Sequence, residues 1–325
     1  MLINIGRYQQ YFAGLSKKIV LPVLFLISVA ILIKLILEID LTKAYKIGAL
    51  ISPLYIFAAI IILWVHYFIS AVRYIYVLNK ILPDITANIR TIFSLTIFTS
   101  FLTVTLPIGG LGDAARINIL WANWNIPGYR AIESVIYDRV LAVIGIIFLG
   151  LVFLPYQYDY VLPKSVVIQL IIFSISFFLL FVVRKIISFF LPRKGHFRNI
   201  LLWVQNIRMF FEKKKDFFIQ LVIAFFSIFT IGISFWLCAV GLGINLPLFL
   251  AVLIAPIILF VQSIPVTYAG WGGREAVVMT LLEAEVMSSE EALVLSILFG
   301  LVIMFSTLPG ALIYIINRDL IHKNT

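Results

Sequence analysis

The sequence predicts an all-α polytopic membrane protein with about six full spans and two re-entrant helical hairpins, arranged as two inverted-topology repeats. Composition is the first observation: of 325 residues, 63% are hydrophobic and only 12% charged, and the mean hydropathy is +1.12. Soluble domains average about half apolar and a quarter charged, so these values exclude a soluble globular domain. The other two observations are runs of apolar residues long enough to cross a bilayer and two shorter runs that end in Pro/Gly-rich breaks.

Six apolar runs reach the length of about 20 residues that a helix needs to cross the hydrocarbon core. They cover residues 19–38, 54–78, 134–154, 165–183, 217–240 and 291–316. Residues 1–183 contain the first repeat and the first span (165–183) of the second repeat. A basic loop (184–216), the rest of the second repeat (217–317) and a tail (318–325) follow.

Two shorter apolar runs are each followed by a break and a second short segment, which predicts hairpins over residues 91–124 and 247–286. A short helix, a break and another short helix are typical of a re-entrant element, because irregular backbone at membrane depth must be shielded from lipid. The predicted turn residues are Pro107, Gly109, Gly110 and Gly112 in the first hairpin, and Pro265, Gly270, Gly272 and Gly273 in the second.

Basic residues in the short loops predict the orientation, because cytoplasmic loops carry an excess of Lys and Arg. They predict a protein of the cell (plasma or cytoplasmic) membrane with both termini on the cytoplasmic side. This orientation requires the first hairpin to open to the cytoplasm and the second to the exterior. Each repeat then has an odd number of spans, so the second repeat is inverted relative to the first. Inverted repeats with broken helices near the midplane are typical of transporters.

Residues 184–216 contain nine Lys/Arg and two acidic residues, which accounts for most of the net charge of +10. Because this segment lies between apolar runs, the charge indicates a surface that binds anionic lipids of the inner leaflet, and no nucleic acid. The apolar residues of 196–215 recur at helical spacing, which favours a helix lying in the membrane interface. An ordinary cytoplasmic loop helix fits the same pattern.

The first hairpin sets charged residues beside its glycines. An Arg in hydrocarbon costs a few kcal/mol, so an intramembrane Arg is a functional hypothesis. Asp113 can cap the second short helix, and Arg116 follows one turn later. A helix N-terminus together with an Arg suits a phosphate. The alternative is that Asp113 and Arg116 pair with each other and hold the turn.

The second hairpin ends in Arg274 and Glu275. Adjacent helical residues point about 100° apart, so we expect at least one of these two to find its partner in another element. Asp138 and Arg139, at the start of the third span, are the candidates for pairing across the hairpins. They can equally be interfacial residues that orient the span.

Other polar residues are given structural interpretations. We expect His66 to be a hydrogen-bonded packing residue and Arg73 to reach the cytoplasmic face with its charged end. The three histidines are scattered, and no hydrolase or nucleotide-binding motif is present. We therefore expect no enzyme activity, cofactor or metal.

Three motifs together carry a family resemblance over essentially the whole chain. They are Gly112, Asp113 and Arg116; Asp138 and Arg139; and Pro265, Gly270, Gly272, Gly273, Arg274 and Glu275. In these motifs the chain resembles the membrane region of lysylphosphatidylglycerol synthase and its stand-alone, flippase-like relatives. Because the chain stops at Thr325, just past the last span, we expect it to lack the aminoacyl-transfer domain and lipid-aminoacylating activity.

The resemblance implies a lipid flippase that moves a phospholipid or lipid-phosphate-linked headgroup between leaflets. In this mechanism Arg116 and Arg274 neutralise the phosphate, Asp113 and Glu275 hold the arginines when the site is empty, and the two hairpins alternate in opening. Two other functions stay open. One is a membrane-embedded transferase acting on a polyprenyl-phosphate or phospholipid. The other is a non-transporting partner that docks a separate synthase. A homo-oligomer is also open.

Overall fold

The computed structural model describes residues 21–83, 87–106, 110–153, 214–263, 267–282 and 286–316, and these residues are helical apart from short connections. The first half contains α1 (Leu21–Leu37), α2 (Leu41–Ala49), α3 (Pro53–Ile81), α4 (Ile89–Thr105), α5 (Leu111–Asn118) and α6 (Gly128–Phe153). The second contains α7 (Lys214–Gly241), α8 (Leu248–Ser263), α9 (Gly273–Leu282) and α10 (Ser289–Ile316). A π-helical turn (Ile119–Asn123) follows α5, and a 3-10 turn (Tyr268–Gly270) precedes α9.

Among the described residues, α3, α7 and α10 are long and apolar enough to cross a membrane, and α1, α4 and α8 are shorter apolar helices. The all-helical membrane class is therefore confirmed. The predicted span 165–183 and nearly all of the basic loop 184–216 lie outside the described residues. The total number of spans stays a prediction.

Both segments predicted as hairpins have the expected sequence of helix, break and short helix. In the first, α4 ends at Thr105 and α5 begins directly after Gly110, whose φ of +86° is left-handed and suits glycine. In the second, α8 ends at Ser263 and α9 begins at Gly273, after Gly272 with a φ of +85°. The breaks therefore lie where the glycines predict them.

The two halves repeat one order of elements. In the first half, a long helix (α3) is followed by a shorter one (α4), a short one (α5) and a long one (α6). The second half repeats this order with α7, α8, α9 and α10. This order agrees with two repeats. Their inverted relation, and the depth of the hairpins in a bilayer, stay predictions.

Helix α2 was not predicted. Asp40 caps its N-terminus, because its carboxylate accepts hydrogen bonds from the backbone N–H groups of Thr42 (2.9 Å) and Lys43 (3.3 Å). These two bonds hold the pKa of Asp40 below its ordinary value. None of the residues of α2 is buried. The helix therefore lies at the surface of the helical assembly.

Small residues let the long helices approach closely. The Ser234 hydroxyl of α7 donates to the Ala59 carbonyl of α3 at 3.0 Å, and a Cβ on Gly145 of α6 would lie 2.7 Å from Ile228 of α7. Helices α10 and α4 are equally close: a Cβ on Gly310 of α10 would lie 2.7 Å from the Ile97 carbonyl oxygen of α4. Close packing of small residues is the usual basis of helix association in membranes. These contacts fix the helices that surround the site.

Candidate functional site

A cavity of about 410 Å³ lies among α3, α4, α5, α6, α7 and α8. Among the described residues, five charged side chains line it: Arg73, Arg116 and Arg139, with Asp113 and Asp138. The three positive and two negative groups leave a net charge of +1 on the lining. Because charged groups within a membrane protein mark substrate or ion pathways, this cavity is the candidate site.

Asp138 joins two arginines from different helices. Its Oδ1 accepts a hydrogen bond from Nε of Arg73 at 2.9 Å, and its Oδ2 accepts one from Arg116 at 3.4 Å. The side chains of all three residues are at most 8% exposed. A buried charge without a partner is strongly destabilising, so this carboxylate ties α3, α5 and α6 together.

The guanidinium of Arg116 is held on several sides but keeps donating capacity. It donates to Oγ1 of Thr99 at 3.0 Å, and its central carbon lies 4.6 Å from the ring centroid of Tyr74. Its Nε is buried and has no hydrogen-bond partner among the described residues. Arg carries five N–H donors, so Arg116 can accept an anionic ligand without leaving Thr99.

Two glycines explain how Arg116 reaches this position. Gly110 turns the chain with its left-handed backbone. A Cβ on Gly112 would collide with the carbonyl oxygen of Thr99 and with Oγ1 of Thr103, so α5 lies directly against α4 only because Gly112 has no side chain. One turn later, this contact sets Arg116 over Thr99.

Asp113 and Arg139 form a two-point ion pair at the more open part of the cavity. Nε and Nη2 of Arg139 donate to the two carboxylate oxygens of Asp113 at 2.9 and 2.7 Å. The Arg139 side chain is 51% exposed and the Asp113 side chain is 23% exposed. The alternative pairing of Asp113 with Arg116 is therefore wrong: Asp113 binds Arg139, and Arg116 binds Asp138.

The remaining wall divides into a polar and an apolar part. The uncharged polar part comprises His66, Ser70, Thr96, Ser100, Thr103 and Ser227. The apolar part includes Val143 and Ile146 of α6, Ile228 and Ile231 of α7, and Leu259 of α8. A ligand with a polar head and an apolar portion is complementary to such a lining.

The second hairpin does not contribute Arg274 or Glu275 to this cavity. Instead, Arg274 donates from Nε and Nη2 to Oε1 of Glu275, and the two side chains are 2% and 0% exposed. Asp138 and Arg139, the candidates for pairing with this hairpin, bind elsewhere. The expected partner in another element is Ser296 of α10, whose hydroxyl donates to Oε1 of Glu275 at 3.5 Å. Adjacent helical residues do point about 100° apart, but the long Arg274 side chain bends back along the helix and reaches its neighbour Glu275.

The pair at the second hairpin is closed on all sides. The Gly272 N–H donates to Oε2 of Glu275 at 2.7 Å, and the Arg274 guanidinium lies 4.4 Å from the ring centroid of Trp271. Gly300 of α10 leaves the space that the guanidinium fills. Within the described part of the chain this pair is neutral and fully enclosed, unlike the charged cavity of the first hairpin.

Arg73 and His66 are cavity residues that sequence reasoning missed. The expectation that Arg73 reaches the cytoplasmic face is wrong, because Arg73 is 6% exposed and its Nε binds Asp138. His66 does make the expected hydrogen bond, at 2.7 Å to the Ser227 carbonyl, but it also lines the cavity. Their spacing was the available signal: with Ser70, they recur at helical spacing on one face.

Of the predicted turn residues, Gly110, Gly112, Gly270, Gly272 and Gly273 lie at the breaks of the two hairpins. Pro107, Gly109 and Pro265 lie outside the described residues. The predicted site residues thus form two separate groups, one at the charged cavity and one at the enclosed pair.

Comparison with known proteins supplies one match. A family model described as the lysylphosphatidylglycerol synthase TM region matches residues 19–310. No curated protein matches the chain. The matched range includes both hairpins, the cavity and every predicted site residue.

Proposed function

The chain belongs to the lysylphosphatidylglycerol synthase transmembrane-region family, which makes it a membrane protein of lipid metabolism or translocation, and we propose that it is a lipid flippase. It moves a phospholipid or a lipid-phosphate-linked headgroup between the leaflets of the cell membrane. The phosphate binds in the cavity at the first hairpin. The proposal includes no covalent step, so we assign no catalytic residue.

One observation carries the proposal: the described side chains that line the cavity have a net charge of +1, because Arg73 and Arg116 share the single carboxylate of Asp138. A phosphodiester carries one negative charge and accepts hydrogen bonds through two non-bridging oxygens. It therefore balances the excess positive charge and can accept hydrogen bonds from the guanidinium of Arg116. Arg suits this task better than Lys, because its planar donors match phosphate oxygens in pairs.

The ion pairs around Asp138 indicate how the phosphate is accepted. The Arg116–Asp138 separation of 3.4 Å is longer than the 2.9 Å between Arg73 and Asp138. Arg116 is therefore the partner that a phosphate displaces at the lower cost, while Arg73 keeps Asp138 neutralised. After the lipid leaves, Asp138 accepts Arg116 again, so the empty cavity holds no isolated charge.

The partly exposed Asp113–Arg139 pair supports a role at the mouth of the cavity. An exposed ion pair contributes about 0–1 kcal/mol, so it can open at little cost when a headgroup passes. The apolar wall formed by α6 and α7 then contacts the glycerol and the first methylenes. The acyl tails stay in the lipid.

We give Arg274 and Glu275 a structural role in this proposal. Their enclosure under Trp271 leaves no access for a headgroup, and their charges already balance. The phosphate role that the resemblance implies for Arg274 therefore has no geometric support in this conformation. Alternating opening of the two hairpins stays a prediction. So do the cytoplasmic termini, and the binding of anionic lipids by residues 184–216.

Leaflet exchange in liposomes tests the proposal. The purified protein is reconstituted with tail-labelled phosphatidylglycerol, and an external quencher reports the label that reaches the outer leaflet, with and without a proton gradient. We expect exchange by the wild type and at least a tenfold loss in Arg116→Gln, since one charged hydrogen bond to the phosphate contributes about 1.5–3 kcal/mol.

Arg130→Gln is the matched control. Arg130 pairs with Glu133 at 3.0 Å and stacks against Tyr129, outside the cavity. Because Glu133 is buried, this variant can lose stability, but its exchange per folded molecule should stay near the wild-type rate. Folded protein that exchanges no lipid under either condition, or an Arg116→Gln variant as fast as the wild type, contradicts the proposal.

A further inference from the structure

His66 offers the cavity a hydrogen-bonding group that the phosphate site does not use. Its Nδ1 lies 2.7 Å from the carbonyl oxygen of Ser227. A carbonyl oxygen only accepts hydrogen bonds, so Nδ1 carries the proton. In the neutral ring, Nε2 is then a hydrogen-bond acceptor.

The acceptor on Nε2 is not occupied by its neighbours. No hydrogen bond joins Nε2 to any described residue, since both bonds of the ring go through Nδ1 to Ser227. The hydroxyl of Ser70 instead pairs with the hydroxyl of Ser227 at 3.0 Å. The ring lines the cavity, so its remaining acceptor is available to a ligand there.

Donors and acceptors are unevenly divided within the cavity. The three arginines only donate, and both aspartates are already engaged by arginines. The hydroxyls of the wall can donate as well as accept, whereas Nε2 of the neutral His66 ring can only accept. His66 lies seven residues, or about 10 Å along the helix axis, from Arg73 on α3. A ligand that spans this distance meets donors at the arginine end and an acceptor at the histidine end.

We propose that His66 is a specificity-determining residue: it selects lipid headgroups that carry a hydroxyl or ammonium donor beyond the phosphate. The inference rests on the proposed function for the position of the phosphate. The phosphate accepts from Arg116, and the distal hydroxyl or ammonium donates to Nε2 of His66. A headgroup with a phosphate but no distal donor leaves Nε2 without a partner.

Pairs of lipids that differ only in the distal donor give the test. Short-chain phosphatidylglycerol is compared with phosphatidylmethanol, which has the same charge and no headgroup hydroxyl. Phosphatidylethanolamine is compared with phosphatidylcholine, whose quaternary ammonium has no N–H. Binding to the purified protein in detergent is measured by calorimetry. We expect the donor-bearing member of each pair to bind about three- to tenfold more tightly, the range expected for one hydrogen bond.

Two variants of His66 test the acceptor role of Nε2 separately from the hydrogen bond that Nδ1 donates to Ser227. In His66→Asn the side-chain amide can still donate to the Ser227 carbonyl, but nothing occupies the position of Nε2, so the preference should fall to less than twofold. In His66→Gln the longer side chain places an amide near that position, and part of the preference should return.

The outcomes separate the two proposals. A wild type that binds both members of each pair equally overturns the role of His66, and so does a His66→Asn variant that keeps the full preference. Arg116-dependent exchange of phosphatidylglycerol would in either case still support the proposed function. Conversely, a His66-dependent preference without any leaflet exchange would support headgroup selection and contradict transport.

Discussion

Replacing Gly112 by Ala is the most direct perturbation of the site that leaves every charge in place. The added Cβ would collide with the Thr99 carbonyl oxygen and would lie 3.0 Å from the carbonyl carbon. Because the obstacle is backbone of α4, no side-chain rotation removes the collision. Helix α5 would have to move by roughly 1 Å to restore an ordinary contact distance.

The structure gives the expected size of the effect. Overpacking of this kind costs about 1–3 kcal/mol. The movement also lengthens the bonds of Arg116 to Thr99, now 3.0 Å, and to Asp138, now 3.4 Å. Each bond involves a charged group and contributes about 1.5–3 kcal/mol. Since part of the strain relaxes, we expect a total loss of about 2–4 kcal/mol and at least tenfold slower exchange.

Thermal unfolding in detergent and leaflet exchange in liposomes measure the two effects. Gly48→Ala is the control, because no atom lies within 4 Å of its added Cβ. This helical position should gain up to about 1 kcal/mol from the better helix former. A Gly112→Ala protein with the wild-type unfolding midpoint and exchange rate would refute the role given to the α4–α5 contact.

Three further predictions concern other parts of the chain. In Gly300→Ala the new Cβ occupies the space of the Arg274 guanidinium, so the free energy of unfolding, measured by thermal unfolding, should fall by about 3–5 kcal/mol. Lipid exchange per folded molecule should change little. Asp138→Asn raises the net charge of the cavity lining from +1 to +2. Short-chain phosphatidylglycerol should therefore bind more tightly, as measured by calorimetry, and should exchange between leaflets more slowly. An affinity equal to that of the wild type would contradict this prediction. Asp40→Ala removes the cap of α2, so amides of residues 41–49 should exchange hydrogen faster at neutral pH than in the wild type. Because the pKa of Asp40 is lowered from 3.8 by backbone N–H groups, capping is present above that value and should disappear as the pH falls through the lowered pKa.

The helical membrane class and both helix breaks follow from local properties of the sequence. Composition and apolar run length predict spanning helices. Glycine clusters that directly follow an apolar run predict a break there, and Gly110 and Gly272 adopt the left-handed conformation at the two breaks. Helix α2 escaped prediction because its residues are too polar to form an apolar run. The signal that could have found it was Asp40, an N-cap residue directly before the helix.

The pairings of the site could not be predicted, because they depend on how helices pack. Asp138 binds Arg73 and Arg116, which lie 65 and 22 positions away in sequence. Its choice of partners depends on α3 and α5 approaching the same side of α6. Arg274 shows the opposite case: its partner is its immediate neighbour, because packing against Trp271 and Gly300 leaves the side chain no other direction.

Blocking the cavity with a small covalent label tests most directly whether headgroups pass through it. Ser100 lines the cavity on α4, whereas Asn118 is exposed at the end of α5 and lies outside the cavity. Each is changed to Cys in a Cys238→Ala background, since Cys238 is the only native cysteine, and is labelled with an anionic thiol reagent. We predict that labelling slows exchange at least tenfold in Ser100→Cys and leaves Asn118→Cys unchanged, and that saturating lipid protects Ser100→Cys from labelling. Full exchange after complete labelling of Ser100→Cys would contradict the cavity as the path.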